Sequence, residues 1–173
     1  MPPVSTAERR YLLNRLNGIA KTQLDALWDQ ALDAEDFAKA VIEAFPILVD
    51  RYRELAGQLA ATWFEDADPE SDYIAKVAPP PPDEKLANSA DWALGATGRD
   101  GLDRLAGTMQ RTIYDGARAT ILLNVVATRG SWIREAEADA CDFCQELEGE
   151  YSVEDSAGFE AHDHCQCMAV ESR

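Results

Sequence analysis

A chain of 173 residues with 46% hydrophobic content suffices for one compact domain, or one domain with a short appended module. Its 32 acidic residues against 16 basic ones give a formal net charge of −16, which repels phosphate backbones and anionic lipid, so nucleic-acid binding would need a local basic patch. No apolar run approaches the ~20 residues of a bilayer span, and the opening MPPVSTAERR lacks the charged start and apolar core of a secretion signal.

Ser5, Thr6, Ala7 and Glu8 read as a capping box that opens a helix. The stripe Leu12, Leu13, Leu16, Ile19, Ala20, Leu24, Leu27, Trp28 and Ala31 recurs near 3.6 residues and predicts helix to about Leu32. Asp33 is placed to cap a second helix with Phe37, Val41, Ile42 and Phe45, which Pro46 kinks or splits. Helical pattern resumes through Tyr52, Leu55, Leu59, Trp63 and Phe64. Four prolines at 79–82 favour an extended, rigid connector. Asp83 then caps a short helix carrying Leu86, Ala90, Trp92, Ala93 and Leu94, and Gly95, Gly98 and Gly101 mark a loop. A long helix is expected from about Leu102 to Thr128, ended by Arg129 and Gly130, followed by a short strand at Trp132, Ile133 and Arg134. The aliphatic stripes and tryptophans read as helix-bundle core, and the acidic residues as a solvated face. The expected architecture is mainly α: an elongated body of about four helices over 1–130, with the connector at 79–82, and a small Cys/His zinc-knuckle module containing short strands over 131–173.

All four cysteines and both histidines fall within 141–167. Zinc takes four soft or borderline ligands in a tetrahedron, commonly two from a Cys-x-x-Cys knuckle and two from a second loop. Cys141 and Cys144 supply the first pair. The second pair comes from His162, His164, Cys165 and Cys167. If 165–167 is extended, Cys165 and Cys167 share a face and permit an all-cysteine site. If it turns, His162 joins one of those cysteines and the other packs as a small apolar group. The favoured set is Cys141, Cys144 and His162 with Cys165 or Cys167, and His164 ranks last. In a reducing compartment a thiol-redox pair at Cys141 and Cys144 is the weaker reading, because no thioredoxin-like strand–helix context surrounds them. A cluster of buried thiols without metal is the other bland reading.

Catalysis finds little support. A nucleobase deaminase needs His-x-Glu before Pro-Cys-x-x-Cys, yet no histidine precedes Cys144 and Ala140 stands at the proline position. The His-Glu-x-x-His of zincins is absent, and both histidines lie inside the cysteine cluster, which leaves none for a serine triad. With donors to spare the site can close fully, as structural zinc sites do. No catalytic residue is assigned.

The order Cys-x-x-Cys-x-x-Leu-x-Gly, then Phe-x-x-His-x-His-Cys-x-Cys, resembles the C-terminal signature of phage Mu F-like minor head proteins, most closely those of phages of actinobacteria. It falls here on Cys141, Cys144, Leu147, Gly149, Phe159, His162, His164, Cys165 and Cys167. More loosely, the segments from Arg51 to Phe64 and from Leu105 to Arg118 resemble helices of that family. The resemblance implies a minor component of the phage head that joins portal or major capsid proteins during assembly in the host cytoplasm. The protein would end in the head interior, with contact to packaged DNA open and no membrane role. The helical body would be the interaction surface, stiffened by structural zinc. Two positions depart from many relatives: Asp163 replaces a proline and Gln166 an arginine. Relatives that continue into a protease or toxin domain have no counterpart here. The competing expectations are a small zinc-dependent hydrolase or nuclease packaged in the virion, and a zinc-ribbon nucleic-acid-binding module.

Overall fold

The Ser5 side chain accepts from the Glu8 amide while the Glu8 carboxylate accepts from the Ser5 amide, and this reciprocal cap opens α1 (Thr6–Leu32). The computed structural model describes residues 3–96, 98–155 and 159–172. Asp33 ends α1, and Asp36 caps α2 (Phe37–Asp66) through the Lys39 amide at 3.0 Å. The expected cap thus shifts by three residues, because the intervening turn absorbs Asp33. Pro46 sits inside α2 without splitting it. The helix forgoes one amide donor there and is held by the burial of Phe45 and Val49 on either side.

Residues 67–82 carry no helix or strand and are pinned to α4 (Arg99–Thr128) by two polar side chains. Asn124 Oδ1 accepts from the Tyr73 hydroxyl and the Lys76 amide, both at 2.8 Å, and its Nδ2 donates to the Lys76 carbonyl at 2.9 Å. Thr120 Oγ1 accepts from the Ala78 amide at 3.0 Å. α3 (Asp83–Leu94) has Pro82 as its N-cap residue, and Asp83 is its first helical residue. α4 starts at Arg99, three residues before the expected Leu102, so Gly101 is helical. It ends with Arg129 in the left-handed conformation, as the Arg129–Gly130 stop requires.

Beyond α4 come β1 (Ser131–Glu135), α5 (Asp142–Glu146), β2 (Gly149–Tyr151) and β3 (Met168–Ser172). They form an antiparallel sheet in the order β2-β1-β3. Mainly helical with a small C-terminal sheet, the molecule has the expected architecture. One core runs from Leu13, Phe45 and Trp63 through Leu105 and Ile121 to Trp132 and Met168 of the sheet. At the α2–α4 crossing, a side chain at Gly116 would collide with the Arg53 backbone, so glycine is what lets the two helices approach. Not every stripe residue is buried: Ile19 is 52% exposed, and Trp92, 57% exposed, lies under the Arg104 guanidinium.

Candidate metal centre

Cys141 is the N-cap residue of α5, and Cys144 lies three positions on, on the same face. The opposite wall is the stretch 162–167. The Cys165 amide donates to the His162 carbonyl at 3.1 Å, which turns the chain. Cys165 and Cys167 then both point inward while Gln166 faces partly outward, the alternation of an extended strand. Donor atoms of Cys141, Cys144 and His162 lie within 4.8 Å of one another, as do those of Cys144, Cys165 and Cys167. The structure therefore brings together all five favoured residues, with Cys144 common to both groups.

The distances suit coordination. His162 Nε2 is 3.2 Å from Cys141 Sγ and 3.4 Å from Cys144 Sγ, and the Cys144 and Cys165 sulfurs are 3.7 Å apart. Two thiolates at ~2.3 Å from one tetrahedral ion are separated by about 3.8 Å. His162 Nδ1 is 2.7 Å from the Asp163 carbonyl oxygen, which can only accept, so Nδ1 carries a proton and Nε2 is the ring atom turned to the sulfurs. His164 stands apart from both groups of donors. Its φ is 65°, and its ring lies against Gly107 of α4, where a Cβ would meet Nε2 at 3.0 Å. Arg111 holds this turn through an ion pair with Asp163 at 3.0 Å.

Two buried arginines, which the sequence reading does not assign to the site, complete its surroundings. Arg118 Nη2 donates to the Cys165 carbonyl at 2.9 Å and to Cys165 Sγ at 3.4 Å, while Nε donates to the Cys167 carbonyl at 2.9 Å. Arg134 Nη2 donates to the Glu160 carbonyl at 2.9 Å and lies 3.9 Å from Cys144 Sγ. Phe159 is sandwiched between the two guanidiniums at 4.7 and 4.2 Å. Both arginines are 2% exposed. Such a pair of cations is costly unless negative charge faces it; Asp115 pairs with Arg118 Nη1 at 2.8 Å, and Cys165 Sγ and Cys144 Sγ, when ionised, face the two guanidiniums.

The thiols accordingly differ in acidity. A hydrogen bond from Cys167, reinforced by the Arg118 charge, holds Cys165 down at about 4, and Cys167 is pushed up by the same hydrogen bond and by burial. Burial raises Cys144, whereas the Cys144 amide and His162 lower Cys141. The carbonyl of Asp163, then Cys141, raise His162. Cys165 is thus a ready thiolate ligand, and the donor set fits a metal ion.

Over residues 3–173 the sequence matches the VG15 protein family. The chain belongs to that family of phage virion-associated proteins. No curated protein and no solved structure matches the chain. The metal-capable cluster of this VG15 protein therefore stands on its own geometry. Among the described residues, no helix is long and apolar enough to cross a membrane.

Proposed function

We propose that this VG15 protein is a minor component of the phage head, joining portal or capsid proteins during assembly, with one structural zinc ion in its C-terminal cluster. The family match over residues 3–173 carries the reading, and the Mu F-like cysteine signature supports the finer assignment to the head. Cys141, Cys144, His162 and Cys165 would hold the ion, since their donor atoms form the chain of short contacts described above. Cys167 would remain a thiol that donates to Cys165. Zinc would supply a cross-link between α5 and the stretch 162–167, and with it folding energy that so short a segment cannot draw from its own apolar contacts. Three thiolates with a divalent ion carry one net negative charge, which Arg118 and Arg134 face.

We assign no catalytic activity. Cys144 and Cys165 are buried, and two groups of three donors share Cys144, which offers more ligands than one ion needs, so a site closed to substrate is favoured. The net charge of −16 likewise favours protein partners over DNA.

Two measurements test this. Elemental analysis of protein purified under reducing, metal-replete conditions should find one zinc per chain, and chelation should remove it with local loss of structure. Protein free of metal under those conditions would reject the zinc site. Co-sedimentation with assembled portal rings should retain the protein, and retention should persist in a Cys141→Ala/Cys144→Ala variant whose helical circular dichroism is intact. No association with portal or capsid would reject the head-assembly role.

A further inference from the structure

Between α3, α4 and the prolines at 79–81 lies a cavity of about 210 Å³. That is far above the ~10–15 Å³ that admits one water and below the ~300 Å³ at which pockets for larger ligands begin. Its lining departs from the charge of the molecule. Other concavities are edged by carboxylates, such as Glu65, Asp66 and Asp72 in one and Glu43, Asp50 and Glu54 in another. Among the described residues this cavity presents Arg53, Lys85 and Arg111, with Asp115 as the one acidic residue.

Three of these charges are paired within the protein: Asp115 with Arg118 at 2.8 Å, Arg53 with Asp50 at 2.8 Å and Arg111 with Asp163 at 3.0 Å. Arg53 is 4% exposed. Its Nε donates to Asp50 at 2.8 Å and its Nη1 to the Ala78 and Pro79 carbonyls, leaving Nη2 with no partner among the described residues. The Lys85 ammonium likewise has no ion pair among them. Arg53 Nη2 and the Lys85 ammonium, both unpaired among the described residues, thus line one cavity with the Ser89 and Thr112 side chains, while Pro80 and Leu86 supply apolar wall. One carboxylate oxygen can accept from a single guanidinium nitrogen and the other from an ammonium, and a short hydrocarbon stem satisfies the wall.

We propose that this cavity binds a carboxylate carried on a short aliphatic stem, the chemistry shared by a glutamate side chain of a partner polypeptide and a free dicarboxylate. The anion sits between Arg53 Nη2 and Lys85 Nζ, and the stem lies along Pro80 and Leu86. The site is separate from the cysteine cluster and does not depend on metal.

Full-length ¹⁵N-labelled protein, metal as purified, is titrated with glutarate, with a blocked glutamate-containing tripeptide and with uncharged glutaramide. Saturable shifts at the amides of Lys85, Ser89 and Thr112 are expected with glutarate, the tripeptide or both, and none with glutaramide. Binding of the tripeptide alone assigns the partner side chain, and binding of glutarate alone assigns the free acid. Lys85→Gln should weaken binding at least about tenfold through loss of a charge-assisted contact. Ser89→Leu, which keeps every charge and fills the cavity, should abolish it. No saturation with either anion overturns the proposal. So does equal binding of glutaramide, or unchanged affinity in both folded variants.

Discussion

At the residue scale, Arg118 connects the long helix to the cysteine loop, with three of its bonds ending on Cys165 or Cys167. Arg118→Gln leaves two buried carbonyls and the Cys165 sulfur without their donor, and Asp115 without its ion-pair partner. Removing one partner of a buried charged set costs about 3–5 kcal/mol. For a domain of this size that lowers the melting temperature by roughly 10 °C, measurable by thermal circular dichroism. The two histidines separate on stoichiometry. His162→Ala should lower bound zinc under competition with a chelator, whereas His164→Ala should keep full stoichiometry. His164→Gly should be neutral or slightly stabilising, because glycine relieves the left-handed backbone at φ 65°. Equal zinc loss in the two alanine variants would reject the assigned ligand set.

Among the elements, α2 and α4 meet where Gly116 faces the Arg53 backbone. Gly116→Ala gains helix propensity but forces the helices apart, and overpacking of this kind costs about 1–3 kcal/mol. The net effect expected in a urea titration is destabilisation. Asn124→Ala strips four hydrogen bonds at once, two of them to the Lys76 backbone. Stranding those groups costs about 1–3 kcal/mol, and limited proteolysis should then cut first within 67–82. Much of this architecture was legible. The capping box at Ser5 and Glu8, the stop at Arg129 and Gly130, and the strand at Trp132 rest on neighbours within a few residues. The cysteine cluster was legible because its residues are rare and adjacent. The second wall was left open, since only the turn that joins His162 to Cys165 decides which side chains face inward. Arg9, Arg53, Arg118 and Arg134 were not legible, because their partners lie up to 162 residues away. Asp33 was misread as the cap because two acceptable capping residues stand three apart, and propensity does not choose between them.

For the whole molecule, pH acts on the proposed zinc site through His162. Its raised value means that the metal-free fold favours the charged ring. That contribution is complete below the ordinary value of ~6.5 and is lost as pH rises through the folded value. Metal binding requires the neutral ring and ionised thiols, so protons compete with zinc. The stabilisation zinc confers should therefore grow from pH 6 to pH 8. Paired melting curves with and without chelator across that range check the sign, and a difference that shrinks with rising pH would refute it.

The bidentate pair of Arg9 and Glu171, at 2.9 and 2.7 Å, joins the first turn of α1 to the last strand, with both side chains almost wholly buried. A ribosome making this chain from its amino end releases Arg9 long before Glu171 exists. Until then the guanidinium has the Val4 carbonyl and the face of Trp63, but no carboxylate. The first helix can form early, yet it cannot lock. The pair therefore closes only once β3 has been made and docks against α1, a helix whose Arg9 lies 162 residues earlier in the chain.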